Sequence, residues 1–202
     1  MKLRLFVWAA WTLASFALSA PAFAQPKLVD IGFKIGTPLN DLVDAPENKT
    51  APLSVGGVIE LNLPVGFAIE GNALYKRLGY RATDNSFPGI RIYDTRFNTW
   101  EFPILLKSYP LGRNPVLQPF LSAGVNFRTT GGEFIGLGGD QRVSNAGLVL
   151  GAGLRNGPGR IKIAPELRYT RWNDSPRVLA GFSDITARLN ANQLEVLVGI
   201  TF

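Results

Sequence analysis

Residues Ala191–Phe202 read ANQLEVLVGITF. Successive residues of a β-strand point to opposite faces. Here Leu194, Val196, Val198, Ile200 and Phe202 share one face, and Gln193, Glu195, Leu197, Gly199 and Thr201 share the other. One face is wholly apolar and the other carries a carboxylate among polar and small groups. This strict alternation decides between strand and helix, and the rest of the chain repeats it.

From Lys27 onward there is no sustained helical periodicity. Period-two segments alternate with clusters of Gly, Pro, Asn and Asp, which punctuate strands. Eight strands are predicted: Lys27–Gly36, Leu53–Leu63, Phe67–Gly79, Asp94–Tyr109, Val116–Arg128, Ser144–Arg155, Arg160–Trp172 and Ala191–Phe202. The connections Thr37–Pro52, Tyr80–Tyr93, Thr129–Val143 and Asn173–Asn190 are long; Pro64–Gly66, Pro110–Pro115 and Asn156–Gly159 are short. Regular alternation of long and short connections is the signature of an up-and-down barrel crossing an outer membrane. The expected fold is therefore an all-β, eight-stranded antiparallel transmembrane barrel, its interior just wide enough for side chains to fill.

The faces set the expected inside and outside. On the first strand Val29, Ile31, Phe33 and Ile35 oppose Asp30, Gly32, Lys34 and Gly36. Over all eight strands the apolar face is free of charge across membrane depth. The opposite face gathers Asp30, Lys34, Glu60, Glu70, Lys76, Glu101, Lys107, Arg128, Arg155, Lys162, Glu166, Arg168 and Glu195. Six acids against seven bases sum nearly to zero, as a closed interior requires, so an inward ion-pair network is expected. Phe67 and Phe202 at one end, and Tyr75, Trp100, Phe127 and Tyr169 at the other, are candidate interfacial aromatics. The bases interleaved among the glutamates favour salt bridging over paired catalytic carboxylates.

Ahead of the strands, Lys2 and Arg4 precede the uncharged run Leu5–Leu18 and the small-x-small pattern Ala22-Phe23-Ala24. This predicts a secretory signal peptide over residues 1–24, cleaved before Gln25, followed by a barrel domain over 25–202. The apolar run is shorter than the roughly 20 residues a spanning helix needs. The whole chain of 202 residues carries +6, two of those charges in the signal. That excess is too mild to suggest nucleic acid. There is no Cys and no His. Disulfides, thiol nucleophiles and every His-dependent catalytic or metal site are thereby excluded, and no cofactor is expected.

Three stretches carry a family resemblance. Glu101-Phe-Pro-Ile-Leu-Leu-Lys107, Ala73-Leu-Tyr-Lys-Arg-Leu-Gly79 and the final Leu194–Phe202 strand resemble, in this order, strands of the bacterial outer-membrane β-barrel domain family. That group includes small eight-stranded OmpX-like and PorT-like barrels. The resemblance implies a barrel fold and an outer-membrane location; known enzyme barrels of this size resemble a different design with a rim His, which this chain lacks, so a non-enzymatic barrel is expected. The resemblance also implies recognition by the barrel-assembly machinery through the last strand ending in Phe202. It implies little about activity, because members of such groups differ in their loops. The expected partners are outer-membrane lipid and that machinery, with the barrel a monomer.

Several features test this reading. Pro103, Pro119 and Pro165 lie within predicted strands and lack the N–H that a ladder needs, so a bulge or a rim position is expected at each. The glycine-rich Gly131–Gly139 lacks a P-loop Lys-Ser/Thr and reads as a surface loop. Asn48-Lys-Thr50 matches a glycosylation sequon of low specificity. Arg77, Arg96 and Arg171 share the lipid-facing register just beyond the upper aromatics, where guanidinium could meet lipid phosphate; ordinary solvated rim residues are the plainer reading. The leading functional expectation is a structural or interaction role exercised through four long loops. Two alternatives stand beside it: a conduit or binding site for a small apolar solute, for which inward Leu74, Leu105 and Phe120 are the hint, and a soluble periplasmic lipid-binding barrel.

Overall fold

The computed structural model describes residues 27–40, 43–44, 53–84, 91–112, 116–132, 141–156, 160–174, 177–179 and 186–202. The expected signal peptide, the sequon and most of Gly131–Gly139 lie outside the described residues. Eleven strands form: β1 (Val29–Pro38), β2 (Val43–Asp44), β3 (Ser54–Asn62), β4 (Phe67–Asp84), β5 (Arg91–Ser108), β6 (Leu117–Gly132), β7 (Gln141–Asn156), β8 (Lys162–Trp172), β9 (Arg177–Leu179), β10 (Thr186–Leu189) and β11 (Asn192–Thr201). Eight of them close into a barrel in the order β1-β11-β8-β7-β6-β5-β4-β3. Each sequence neighbour pairs antiparallel, and β11 returns to pair with β1. Among the described residues the only helical element is the 3-10 turn Pro64–Gly66.

Closure can be followed residue by residue. From Val29 the ladder steps run to Leu61, Ile69, Leu106, Ala123, Leu150, Tyr169 and Leu194, and the carbonyl of Leu194 accepts from the N–H of Leu39, ten residues along β1 from the start. A stagger of that size on eight strands tilts them by about 40° and gives a mean backbone radius of roughly 8 Å. Every ladder keeps one register along its whole length, without a bulge. Each strand therefore keeps one face inward throughout.

Inward glycines permit the tight coiling that so narrow a cylinder demands. A Cβ on Gly56 would lie 1.8 Å from the carbonyl oxygen of Ala73, and one on Gly124 would lie 2.0 Å from that of Ile104. At the β3–β4 turn, Val65 adopts φ 63° and Gly66 φ 78°. Glycine accepts that region freely, but a β-branched residue is strained there.

The outer rim departs from expectation. β4 and β5 stay paired out to Asp84↔Arg91, and β6 and β7 out to Gly132↔Gln141. About half of each expected loop, Tyr80–Tyr93 and Thr129–Val143, is thus strand, and 85–90 and 133–140 lie outside the described residues. Beyond the membrane both faces of a hairpin meet water, so the apolar alternation that marks a strand is lost there. Three short strands also arise within the other two expected loops, forming a separate sheet β2-β10-β9.

The prolines behave differently from one another. Pro119 lies near the short-turn rim, opposite Leu154 on β7 and beyond the last β5–β6 pair, Ser108↔Leu121. Pro165 pairs with Val198 on β11, while the β7–β8 ladder stops one step short of it at Gly153↔Glu166. Pro103 sits mid-barrel, which corrects the expected bulge or rim position. The β4–β5 ladder skips from Gly71↔Ile104 to Leu74↔Glu101 and resumes in the same register. The missing N–H opens a gap in one ladder without displacing it.

The charged interior as candidate functional site

Alternation on eight bulge-free ladders delivers the charged positions to one side. Twelve of the thirteen expected residues are at most 3% exposed: Asp30, Lys34, Glu60, Glu70, Lys76, Glu101, Lys107, Arg128, Arg155, Glu166, Arg168 and Glu195. Lys162, nearer the rim, keeps a side chain 17% exposed and pairs with Asp30. Outside, Ile31, Phe33, Ile59, Ile104, Leu121, Leu150 and Ile163 lie open to the surroundings. A soluble barrel would reverse these faces, since it must bury apolar and not charged groups.

The larger ion-pair group occupies the short-turn half. Lys34 Nζ lies 2.6 Å from Glu70 and 2.7 Å from Glu166. Lys107 bridges Glu60 and Glu70, and Arg168 bridges Glu166 (3.0 Å) and Glu70 (3.3 Å). Arg155 reaches Glu60 at 2.6 Å, and the Tyr109 hydroxyl donates to the same carboxylate at 2.9 Å. Two of these pairs span the whole diameter. Arg155–Glu60 joins β7 to β3 and Arg168–Glu70 joins β8 to β4, strands halfway round the barrel from each other. Guanidinium and lysine side chains meeting carboxylates across a cylinder this narrow leave no lumen at their level.

A smaller group lies toward the long-loop end. Lys76 Nζ sits 2.8 Å from Glu101 and 2.5 Å from Glu195. Asn126 donates to Glu101 at 3.0 Å, and Ser54 to Glu195 at 3.0 Å. Buried Leu74 separates Glu70 from Lys76 along β4, and buried Val149 separates Arg155 from Asn145 along β7. Arg128 is the exception to pairing. It stands across the ladder from Glu101, yet its Nε donates to Asn145 at 3.0 Å and its guanidinium lies over the Trp172 ring at 4.0 Å. Its Nη2 is buried without a hydrogen-bond partner. Trp172, buried and bonded through Nε1 to Gln193, is a functional neighbour the alternation alone did not single out.

Apolar residues also point inward, packed among the charges. Leu74 and Leu105 are fully buried, and Phe120 packs on Tyr109 (5.8 Å between ring centroids) with Lys107 Nζ 4.4 Å from its ring.

On the outer surface the three rim arginines are not one cluster. Arg77 is exposed on β4, opposite Asn98 of β5, and Arg96 lies opposite Gly79, one step further up the same hairpin face. Arg171 is on β8, halfway round the barrel, where its Nη1 donates to Asn192 at 2.6 Å.

With this geometry in hand, comparison with known proteins is informative. A family model described as outer membrane protein beta-barrel domain matches residues 23–171. No curated protein matches the chain. Among solved structures, Neisserial surface protein A aligns with TM-score 0.56 at 11% identity, covering 86% of this chain and 95% of that one. Ail of Yersinia pestis, solved in complex with the heparin analogue sucrose octasulfate, aligns with TM-score 0.48 at 14% identity over 86% and 96%. The N-terminal β-barrel domain of Pseudomonas aeruginosa OprF gives 0.43 at 12% over 88% and 100%. The likeness to the Neisserial protein is one of fold alone. A bulge-free eight-stranded barrel with an apolar exterior and a charged interior, matched by that family model over most of its length, belongs to the outer membrane protein beta-barrel domain family and resides in the bacterial outer membrane.

Proposed function

We propose that this protein is a sealed, non-enzymatic outer-membrane scaffold that acts through what it holds above the membrane. The observation that carries the reading is the pair of diametric bridges, Arg155–Glu60 and Arg168–Glu70. An interior crossed in this way resists flow and holds the strands at fixed spacing. Recognition then falls to the paired arms β4–β5 and β6–β7 and to the small sheet β2-β10-β9, since loops and arms on a rigid base carry binding. At the base, the N–H of Phe202 donates to the carbonyl of Ile31 at 2.9 Å, and Ile31 returns the bond at 3.2 Å. This seam joins the first and last strands of the barrel, which suits Phe202 to the expected role of engaging the assembly machinery.

The purified protein in planar bilayers tests the seal. Little or no stable conductance is expected from the wild type. Replacing both diametric arginines, Arg155→Ala with Arg168→Ala, should introduce measurable current if the barrel still folds by heat-modifiable migration. Large steady steps from the wild type would show an open interior and defeat the reading.

A further inference from the structure

Two sites on opposite sides of the barrel share one local design. On β4, Tyr75 and Arg77 face Asn98; on β8, Tyr169 and Arg171 face Asn192. In both, the tyrosine hydroxyl donates to the asparagine Oδ1 at 2.7 Å. Their arginines differ. Arg171 also spends its Nη1 on Asn192, at 2.6 Å, whereas Arg77 is exposed and, among the described residues, no hydrogen bond or ion pair engages it. Arg77 is followed up the same face by Arg96 opposite Gly79 and by Arg81 opposite Asp94, so three bases meet one acid on this arm. The register gives Arg171 no second arginine on β11.

The surface beneath Arg77 also differs from that beneath Arg171. Tyr75 leans on Trp100 (5.3 Å), and Trp100 stacks on Phe102 (6.3 Å, 10° between planes). Beside this ridge runs a shallow trough made by Ala73 opposite Gly57, and Gly71 opposite Ile59. Around the Cβ positions of Gly57 and Gly71 there is open space. Unpaired guanidinium above an aromatic ledge, with a trough below it in the hydrocarbon, has the shape of an amphiphile site. The upper part fits a phosphate, which arginine binds bidentately, and the lower part fits an acyl chain.

We infer that the Arg77–Arg96 face of the β4–β5 arm binds the phosphate of an acylated, phosphorylated lipid of the outer leaflet, with one chain along the Gly57–Gly71–Ala73 trough. This rests on the outer-membrane setting and not on the sealed interior, so conductance results leave it untouched. Purified protein in detergent is incubated with bis-phosphorylated lipid A, or with lipid A stripped of both phosphates, and retention is read by native mass spectrometry. Wild type should retain the phosphorylated lipid, and Arg77→Gln with Arg96→Gln should weaken retention by about tenfold or more. Arg171→Gln should leave it unchanged. All three proteins should keep wild-type heat-modifiable migration, because the altered positions lie on the outward register and outside the interior ion pairs. Equal retention of the dephosphorylated lipid, or no loss in the double variant, would overturn the site. Displacement by millimolar inorganic phosphate would reassign it to a free anion, and equal loss in Arg171→Gln would reduce it to general rim charge; either result overturns the proposal.

Discussion

The two halves of the interior solve the same problem with different redundancy. In the short-turn half each of three carboxylates meets at least two cations, and two of the bridges cross the barrel. In the long-loop half, Lys76 is the one cation among the described residues in an ion pair with Glu101 and Glu195, while Arg128 rests on an aromatic ring and an amide. Burying a charge is costly unless partners surround it, and breaking one contact of a network harms least where others remain. The lower half is therefore a multiply braced floor. The upper half hangs on one lysine.

Removing the hub of the floor should have the largest effect. Glu70→Ala removes three ion pairs at once and leaves Lys34 and Arg168 sharing Glu166 and Lys107 on Glu60, with one more buried positive charge uncompensated. A loss near the ~3–5 kcal/mol of a broken buried pair is expected, seen as a lower unfolding temperature in heat-modifiable gel migration. An unchanged midpoint would mean that the floor is not coupled. Glu101→Ala should cost less, roughly 2 kcal/mol, because it removes one ion pair and Lys76 keeps Glu195. If Glu101→Ala proves worse than Glu70→Ala, the ranking of the two halves is inverted.

Arg128→Met separates pairing from mere burial. It strands no carboxylate, so only the stacking on Trp172 and the bond to Asn145 are lost, a change within about 1 kcal/mol. Denaturant titration beside Arg155→Met, which removes a contact from Glu60, should show the second variant to be clearly weaker. Parity between them would break the distinction drawn here. The smallest effect lies in the turn below the floor. Val65 is strained at φ 63° and 90% exposed, so Val65→Gly should stabilise by about 1 kcal/mol after the entropy cost of glycine is set against relief of strain. A loss of stability there would mean that the turn tolerates valine without strain.

Much of this was legible from alternation. Which side each strand turns inward follows from period two, because no bulge interrupts any ladder. The partners within the interior were not legible. Lys76, Lys107 and Arg128 are all inward bases on the strand of Glu101 or one beside it; the structure pairs Glu101 with Lys76, sends Lys107 to Glu60 and Glu70, and turns Arg128 toward Trp172. Ladder register fixes backbone neighbours, but long side chains in a narrow cylinder reach strands two to four places away. The arms above the membrane were hidden for another reason. Residues such as Tyr80–Asp84 and Arg91–Tyr93 lack a sustained alternation of apolar and polar groups, so nothing in their pattern marks them as strand. Pro103 misled because a mid-barrel proline was read as requiring displacement, when a narrow gap in one ladder suffices.

The uninterrupted register bears on how the chain avoids misassembly. Because side chains alternate with period two, sliding any strand by one residue would turn its acids and bases outward into hydrocarbon and its leucines and isoleucines inward among ions. Slippage by two would keep the faces but pull apart bridges that depend on depth, such as Arg168–Glu70. Correct strand order and correct offset are thus rewarded together only when the final seam, Ile31 with Phe202, comes into place. The alternation of charge and apolar groups gives each displaced register its own energetic cost, in exposed charge or in broken bridges.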